Sequence, residues 1–553
     1  MVLQEPLDSN IGFDFFNYTK RIFMKKTVPI LFLLAFMLYS PNIFAQRIVV
    51  IDPSTDLAKP KDIYPFIMGD TLPGGVRKDV NTIYKLKNGS VYVLSAPLVN
   101  KSTWTLHIEA TDLANVKEKP YLTRIPNASG AYPNYILSEG NLILKNLWMV
   151  TAERGPAQEH ENAKFIISGA NTRVIIDNCI IEKDRGGLVR LGANNAKVYV
   201  TNCQLRNGGN RKIFQGNGRA VDARNFYFDT LIVKNTLMHN LVDRVFRSMG
   251  ATARHNYIEF DQNTVFNIGG RHGSFQFGKV KEVKFTNNLL INPLMMGSVK
   301  SQLDEQTQPD KEAKKIFTVD TLYTDSKFTF ASNNIFFTED MLNIFNTNDT
   351  VKKPAIYSKL LLDKLGSSAA STYFEEPLKL NNVPMNITQF IIDIYKDITS
   401  KNMFDFIVED IAYKGTAWDF GNLFDFAKLD PCFPSTTKSA KASTTGGPIG
   451  VLNFCAVATS NEELAWNNWL KLSINPNPIS GSGFIEYELP AATQVDLSIY
   501  NLMGQQVLNI VNQRQDAGSH KVNFSIPTQF SAGMYIGRLV TEKGTMSSQI
   551  IVR

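Results

Sequence analysis

Between Arg185 and Arg254 the chain carries twelve basic residues, Arg185, Arg190, Lys197, Arg206, Arg211, Lys212, Arg219, Arg224, Lys234, Arg244, Arg247 and Arg254, against Asp222, Asp229 and Asp243. That local excess of nine exceeds the net charge of +7 carried by all 553 residues. Brought onto one surface, such a block would concentrate anionic ligands. Several of these residues recur at a fixed distance from a turn glycine. Arg190 stands two before Gly192, Ser248 two before Gly250 with Arg247 beside it, and Gln276 two before Gly278, while Asp222 falls nearby in a less regular unit. Neighbouring loops supply Lys183, Asp184, Arg211, Asp243, Arg244, Arg271 and His272. Elimination from a uronate requires a cation against the substrate carboxylate, a base for the proton alpha to it, and an acid for the leaving oxygen. Arg190, Arg247, Arg271 and His272 are the catalytic candidates for that chemistry, and Lys183, Arg185, Arg211, Asp222, Arg244 and Gln276 the candidates for substrate binding. The opposing reading is that these charges only solvate the outer surface.

A repeat must position them. FIISGANTRVIIDNCII (165–181), LVRLGANNAKVYVTNCQL (188–205) and FQFGKVKEVKFTNNLLI (275–291) share a strand, a glycine turn, a second strand and an Asn followed by apolar residues. The repeated amides are Asn146, Asn178, Asn202, Asn235, Asn263, Asn288 and Asn334. A variable period of this size, with short strands and no intervening helical pattern, predicts stacked coils rather than a propeller or sandwich. The expectation is an all-β, right-handed parallel β-helix over 46–460, with clear coils at 139–340 and the asparagines stacked as a structural ladder. Cys179 and Cys203 follow that ladder in adjacent coils and are expected to stack, as buried thiols or as a disulfide; Cys432 and Cys455 are the better candidates for a disulfide. A helical insertion is expected at about 342–406, where Ile387, Phe390, Ile391, Ile394 and Ile398 mark one apolar face.

Both ends carry export signals. Lys25 and Lys26 precede an apolar run from Val28 to Leu38 and small residues ending at Ala45, the pattern of a signal peptide over 24–45. The run is about half of the ~20 residues needed to span a bilayer, so no stable transmembrane anchor is expected. Residues 1–23 form an upstream extension with no assigned role. After a linker at 461–471, residues 472–553 alternate as short strands separated by Gly, Pro and Asn turns, which predicts a small β-sandwich of immunoglobulin type. This tail resembles the C-terminal sorting domain of the type IX secretion system. The resemblance rests on Asn475-Pro476-Asn477-Pro478, the segment Leu497 to Gly504, Ala517-Gly518-Ser519-His520 and Ser531-Ala532-Gly533-Met534-Tyr535. It implies passage through the periplasm and across the outer membrane, to the surface or the medium.

The middle resembles the pectate-lyase-like superfamily of exported β-helix proteins, both in its opening strands (70–110) and in the closing segment from Asp430 to Gly450. More loosely it resembles the chondroitinase B and alginate lyase group, in which a Lys base and an Arg act from neighbouring coils. Arg271-His272-Gly273 echoes a motif of that group, although here it stands before its strand. The resemblance implies a polysaccharide lyase; the residues equally admit a non-catalytic glycan-binding or structural surface protein. For an exported chain the expected polyanion is an acidic polysaccharide and not nucleic acid. The residues leave the cofactor open, calcium included. Six histidines show no metal-ligand spacing with the cysteines, and Asp222 with Asp243 is a thin basis for a glycosidase.

Overall fold

The computed structural model describes residues 46–455 and 472–553, apart from 57, 128–129, 131, 152–164, 210–217, 271, 300–313, 350, 386–390, 392–407, 411–421, 490–491, 502–504 and 542–544. Three parallel sheets of ten, eleven and eight strands run side by side. The first runs from Ile48–Ile51 to Lys327–Ala331, the second from Lys61–Asp62 to Tyr373–Phe374, and the third from Leu98–Asn100 to Phe317–Thr318. One circuit contributes one strand to each sheet. Arg173–Asp177, Ile180–Glu182 and Gly187–Leu191 are followed by Ala196–Thr201, which pairs back onto Arg173–Asp177. This is the parallel β-helix expected from the repeat, and its coils begin well before residue 139.

Strand alternation turns every second side chain inward, and the register stacks like on like. Val174, Val198, Leu231, Ile258, Val283 and Phe328 form one file of the first sheet. Phe246, Phe275 and Phe317 form an aromatic file of the third, with the Phe275 and Phe317 ring centres 5.2 Å apart. At the far end the helices Glu339–Thr347 and Lys359–Leu365 add Met341, Phe345 and Leu361 to this core. Of the apolar face expected at 387–398, only the buried Ile391 lies among the described residues.

The corner between the first and second sheets holds two ladders rather than one. Asn146, Asn178, Asn202 and Asn235 turn the chain at φ of 53°, 52°, 57° and 50°, the left-handed region that asparagine tolerates better than most residues. Asn178 donates to Asn146 Oδ1 at 3.0 Å and Asn235 to Asn202 Oδ1 at 2.8 Å. Further along, Gln262, Asn287 and Ser332 take over the turn. Asn263, Asn288 and Asn333 lie one residue later, buried and pointing inward, in the position that Cys179, Cys203 and Thr236 hold in earlier coils. The expected register was therefore off by one at the end. Asn333 belongs to the inner ladder, whereas Asn334 donates outward to Glu376 O and Ser439 Oγ.

Cys179 and Cys203 do stack, as buried free thiols, with the Cys179 N–H 3.3 Å from Cys203 Sγ. Cys432 and Cys455 form a disulfide. That bridge lies in a returning segment that covers the outside of the second sheet, where Leu380, Ile449 and Val451 pack on Leu237, Phe266, Leu289, Ile291 and Phe336.

The tail forms a three-stranded and a four-stranded antiparallel sheet. Ile485 and Tyr487 of one and Leu497, Ile499, Leu539 and Ile550 of the other share one core, as in a β-sandwich. Among the described residues no helix is long and apolar enough to cross a membrane.

The inner ladder yields a stability test. Asn288 Oδ1 accepts from the Asn263 backbone N–H and side chain, and its amide donates to Phe260 O at 2.9 Å and Asn333 Oδ1 at 3.1 Å. Asn288→Ala strips partners from several buried polar groups at once and should cost about 2–4 kcal/mol in chemical denaturation, whereas Lys197→Ala, on an exposed face, should cost less than about 0.5 kcal/mol.

Candidate functional site

The third sheet brings most of the predicted residues together. Its outer face carries one file in direct register, Ile166, Arg190, Asp222, Arg247, Gln276 and Thr318. Their neighbours Val189, Val221, Phe246 and Phe275 face the core. The glycine count had suggested Ser248 for this file. Ser248 is instead buried one residue later, where His255 Nε2 donates to its Oγ at 2.7 Å and the Phe228 N–H donates to His255 Nδ1 at 2.9 Å.

Along the file the charges interlock. Arg247 Nε and Nη2 each donate to one oxygen of Asp222 at 2.7 Å, the two-pronged geometry that suits guanidinium and carboxylate. Arg219 Nη1 lies 3.7 Å and Arg190 Nε 4.0 Å from Asp222 Oδ2. A second centre sits at the turn between the second and third sheets. There the buried Asp243 accepts from Arg219 Nε at 2.9 Å, Arg244 Nε at 3.2 Å and His272 Nδ1 at 3.0 Å. Arg244 Nη1 donates to Gln276 Oε1 at 2.6 Å, tying this centre to the file. Asp222, Arg244, Arg247 and Gln276 are all buried. Arg190 reaches solvent with 34 % of its side chain exposed, and His272 with 15 %. Lys183 and Arg185 belong to the turn before Gly187–Leu191, where Lys183 is buried at φ 65°. Arg211 and Arg271 lie outside the described residues.

Burial opposes ionisation of Asp243, yet the charges of Arg244, His272 and Arg219 outweigh it and hold the carboxyl well below the usual range. Asp222 is likewise held down against burial by Arg219 and Arg247. Burial lowers Arg219 to about 10. Two further carboxyls go the other way. Burial raises Asp184 to about 7, opposed by the Gly186 N–H on its Oδ1, while its Oδ2 has no hydrogen-bond partner. Burial raises Asp320 to about 6, beside Gln276.

The block of positive charge is thus mostly consumed internally. Beyond the Arg219, Arg244 and Arg247 pairs, Arg206 pairs with Glu182, Lys197 with Asp229, Lys234 with Asp261 and Arg254 with Asp325. Several cations still reach solvent, Lys197, Arg224 and Lys234 on exposed faces and Arg190 and His272 at the margin of the buried network. Of these groups, a guanidinium and an imidazole are the types that can bind a carboxylate and move a proton. Asp320 had no signal in the sequence, since it lies 44 residues from Gln276. Among the described residues no group of three or more His, Cys, Asp or Glu side chains converges as a metal site does.

Fold and network together define a parallel β-helix with a charged, partly opened outer sheet. The route by which it leaves the cell is given by the tail: residues 473–553 match the family model of the secretion system C-terminal sorting domain. The protein is therefore handed to the type IX secretion machinery and reaches the cell surface or the extracellular space. No curated protein and no solved structure is matched by the chain.

Two outcomes test the network. Asp222→Ala leaves Arg247 buried without its carboxylate and should destabilise by about 3–5 kcal/mol in denaturant titration. Asp184 has the opposite sign of linkage. Between the unfolded carboxyl's ordinary value near 4 and about 7, the folded state keeps a proton that the unfolded state has released, so stability falls as pH rises through that window. Asp184→Asn should therefore match the parent melting temperature at pH 4 and exceed it at pH 8.

Proposed function

We propose that this exported β-helix binds an acidic polysaccharide across its third sheet and cleaves it by β-elimination. The observation that supports this best is that one buried carboxylate and arginine network carries two solvent-reaching groups, the guanidinium of Arg190 and the imidazole of His272 held by Asp243. In this reading Arg190 pairs with the uronate carboxylate and stabilises the negative charge that develops there. His272, held by Asp243, takes the proton alpha to the carboxylate. The electron pair forms the new carbon–carbon double bond as the glycosidic carbon–oxygen bond breaks, and the leaving oxygen takes its proton from solvent. Arg247, Arg244, Gln276 and Asp222 hold Arg190 and the strand register in place. Arg185, on the turn before Gly187–Leu191, adds a second cation near the strand that carries Arg190.

A second reading has its own support. Arg219, Arg244 and Arg247 are already matched to aspartates and buried, as structural ion pairs are, which favours a glycan-binding or structural surface protein without turnover. One experiment separates the two. The mature chain is incubated with a panel of uronate-containing polysaccharides and the absorbance of the unsaturated product is followed. Product formation that disappears in His272→Ala supports the lyase. Binding without product from any member supports the second reading. In either case Arg190→Ala should weaken binding about tenfold at low salt, the worth of one exposed charge-assisted contact, and unchanged affinity would remove the third sheet as the site.

A further inference from the structure

A cleft of about 660 Å3 lies on a different face of the solenoid, between the second sheet and the segment that returns over it. It shares no lining residue with the third-sheet file. Its floor is rigid: Arg206 pairs with Glu182 through Nε at 2.9 Å and reaches Gln204 Oε1 at 3.2 Å, while the Trp148 indole donates to Glu182 at 2.7 Å. The guanidinium also stacks 3.7 Å from the centre of the Phe426 ring. Burial raises the cost of the Glu182 charge, but Arg206 and Lys183 outweigh it and bring the carboxyl down to about 2. At one end Lys119 is fixed by Asn146 Oδ1 at 2.6 Å and Asn178 Oδ1 at 2.9 Å.

We propose that this cleft binds a neutral saccharide unit, independently of the acidic polymer at the third sheet. Three observations carry the assignment. The first is size, because the volume lies within the range of small-molecule sites and suits one or two sugar rings. The second is charge. Arg206 is already paired with Glu182, and the other lining cations, Lys117 and Lys119, are equalled in number by the lining carboxylates of Asp177 and Asp410, so the lining has no marked excess of either sign to select a charged ligand. The third is the pairing of surfaces. The half-buried rings of Trp148, Phe426 and Phe454 supply flat apolar platforms for the C–H face of a sugar, and the Gln204 and Asn453 amides stand beside them for the hydroxyl rim.

The outer wall carries the covalent bond between Cys432 and Cys455. Leu429 lies three residues before one cysteine, and Asn453 and Phe454 directly precede the other. The wall is also held by Asn207 on Val408 O at 2.8 Å, by the Leu452 N–H on Asn235 Oδ1 at 2.6 Å, and by the apolar packing of Leu429, Ile449, Val451 and Phe454 on the second sheet.

Calorimetric titration of the mature chain with neutral hexasaccharides of glucan, mannan, xylan and galactan tests the proposal. At least one should bind. Phe426→Ala should weaken that binding tenfold or more, Gln204→Ala should weaken it several-fold with an unchanged melting temperature, and Arg190→Ala should leave it intact. The double variant Cys432→Ser/Cys455→Ser should weaken it while acidic polymer binding persists. The proposal is overturned if no neutral glycan binds, if Gln204→Ala and Phe426→Ala both leave the affinity unchanged, or if acidic hexasaccharides displace the neutral one.

Discussion

The strands of a parallel coil have no ladder of their own: their backbone N–H and C=O groups are satisfied by the coils on either side, and the same requirement extends to the corners, where unpaired buried groups are costly. In this chain the corner between the first and second sheets meets it with side chains. The backbone N–H groups of Thr236, Asn263 and Asn288 are bound by the amide oxygens of Asn263, Asn288 and Asn333, one coil further on in each case. Each amide then donates to a strand carbonyl, Asn263 to Val233, Asn288 to Phe260 and Asn333 to Phe285. Because an amide reaches only one neighbour, this ladder fixes the stagger between coils, and everything displayed on the sheets inherits that stagger.

The charged file on the third sheet is one such inheritance. Arg190, Asp222, Arg247 and Gln276 come from four successive coils, and only a constant stagger places them one above the next. A slip of one residue would send these side chains into the core and bring Val189, Val221, Phe246 and Phe275 to the surface. Burying three arginines with Asp222 and Asp243 is not in itself a strong source of stability, since desolvation offsets much of the attraction. What it supplies is definition. Asp243 is bound by three donors and Asp222 by two prongs of Arg247, so the guanidinium of Arg190 and the ring of His272 rest on a fixed support.

How far the sequence reveals this follows from the same physics. The asparagines, the adjacent cysteines and the glycine-spaced polar positions are local repeats, and local repeats are visible in one dimension. Their exact phase is less so: Asn334 stands where Asn333 serves, and Ser248 where Arg247 serves, because one-residue shifts in turn length are absorbed by residues such as Gln262 and Ser332 without any change in the apolar pattern. The signs of the pKa shifts were not legible at all. Asp184 and Asp222 look alike as aspartates beside basic residues, but one lies among arginines and the other has an oxygen buried without a partner. The segment over the second sheet was equally hidden, since contacts such as that of Asn207 with Val408 join residues 201 positions apart.

That covering segment also explains the division of the four cysteines. Cys179 and Cys203 lie inside the coil stack, where burial raises the first thiol to about 12 and the second well above its ordinary value, so neither forms the thiolate that exchange requires. Neither can react without opening the corner on which the stagger depends. Cys432 and Cys455 lie on the returning segment, outside the stack, and can close after the coils have formed. Oxidation on the way out of the cell therefore acts on the outer wall and leaves the ladder untouched. The stagger of the coils rests on the ladder, and the disulfide adds a covalent tie within the segment that covers the second sheet.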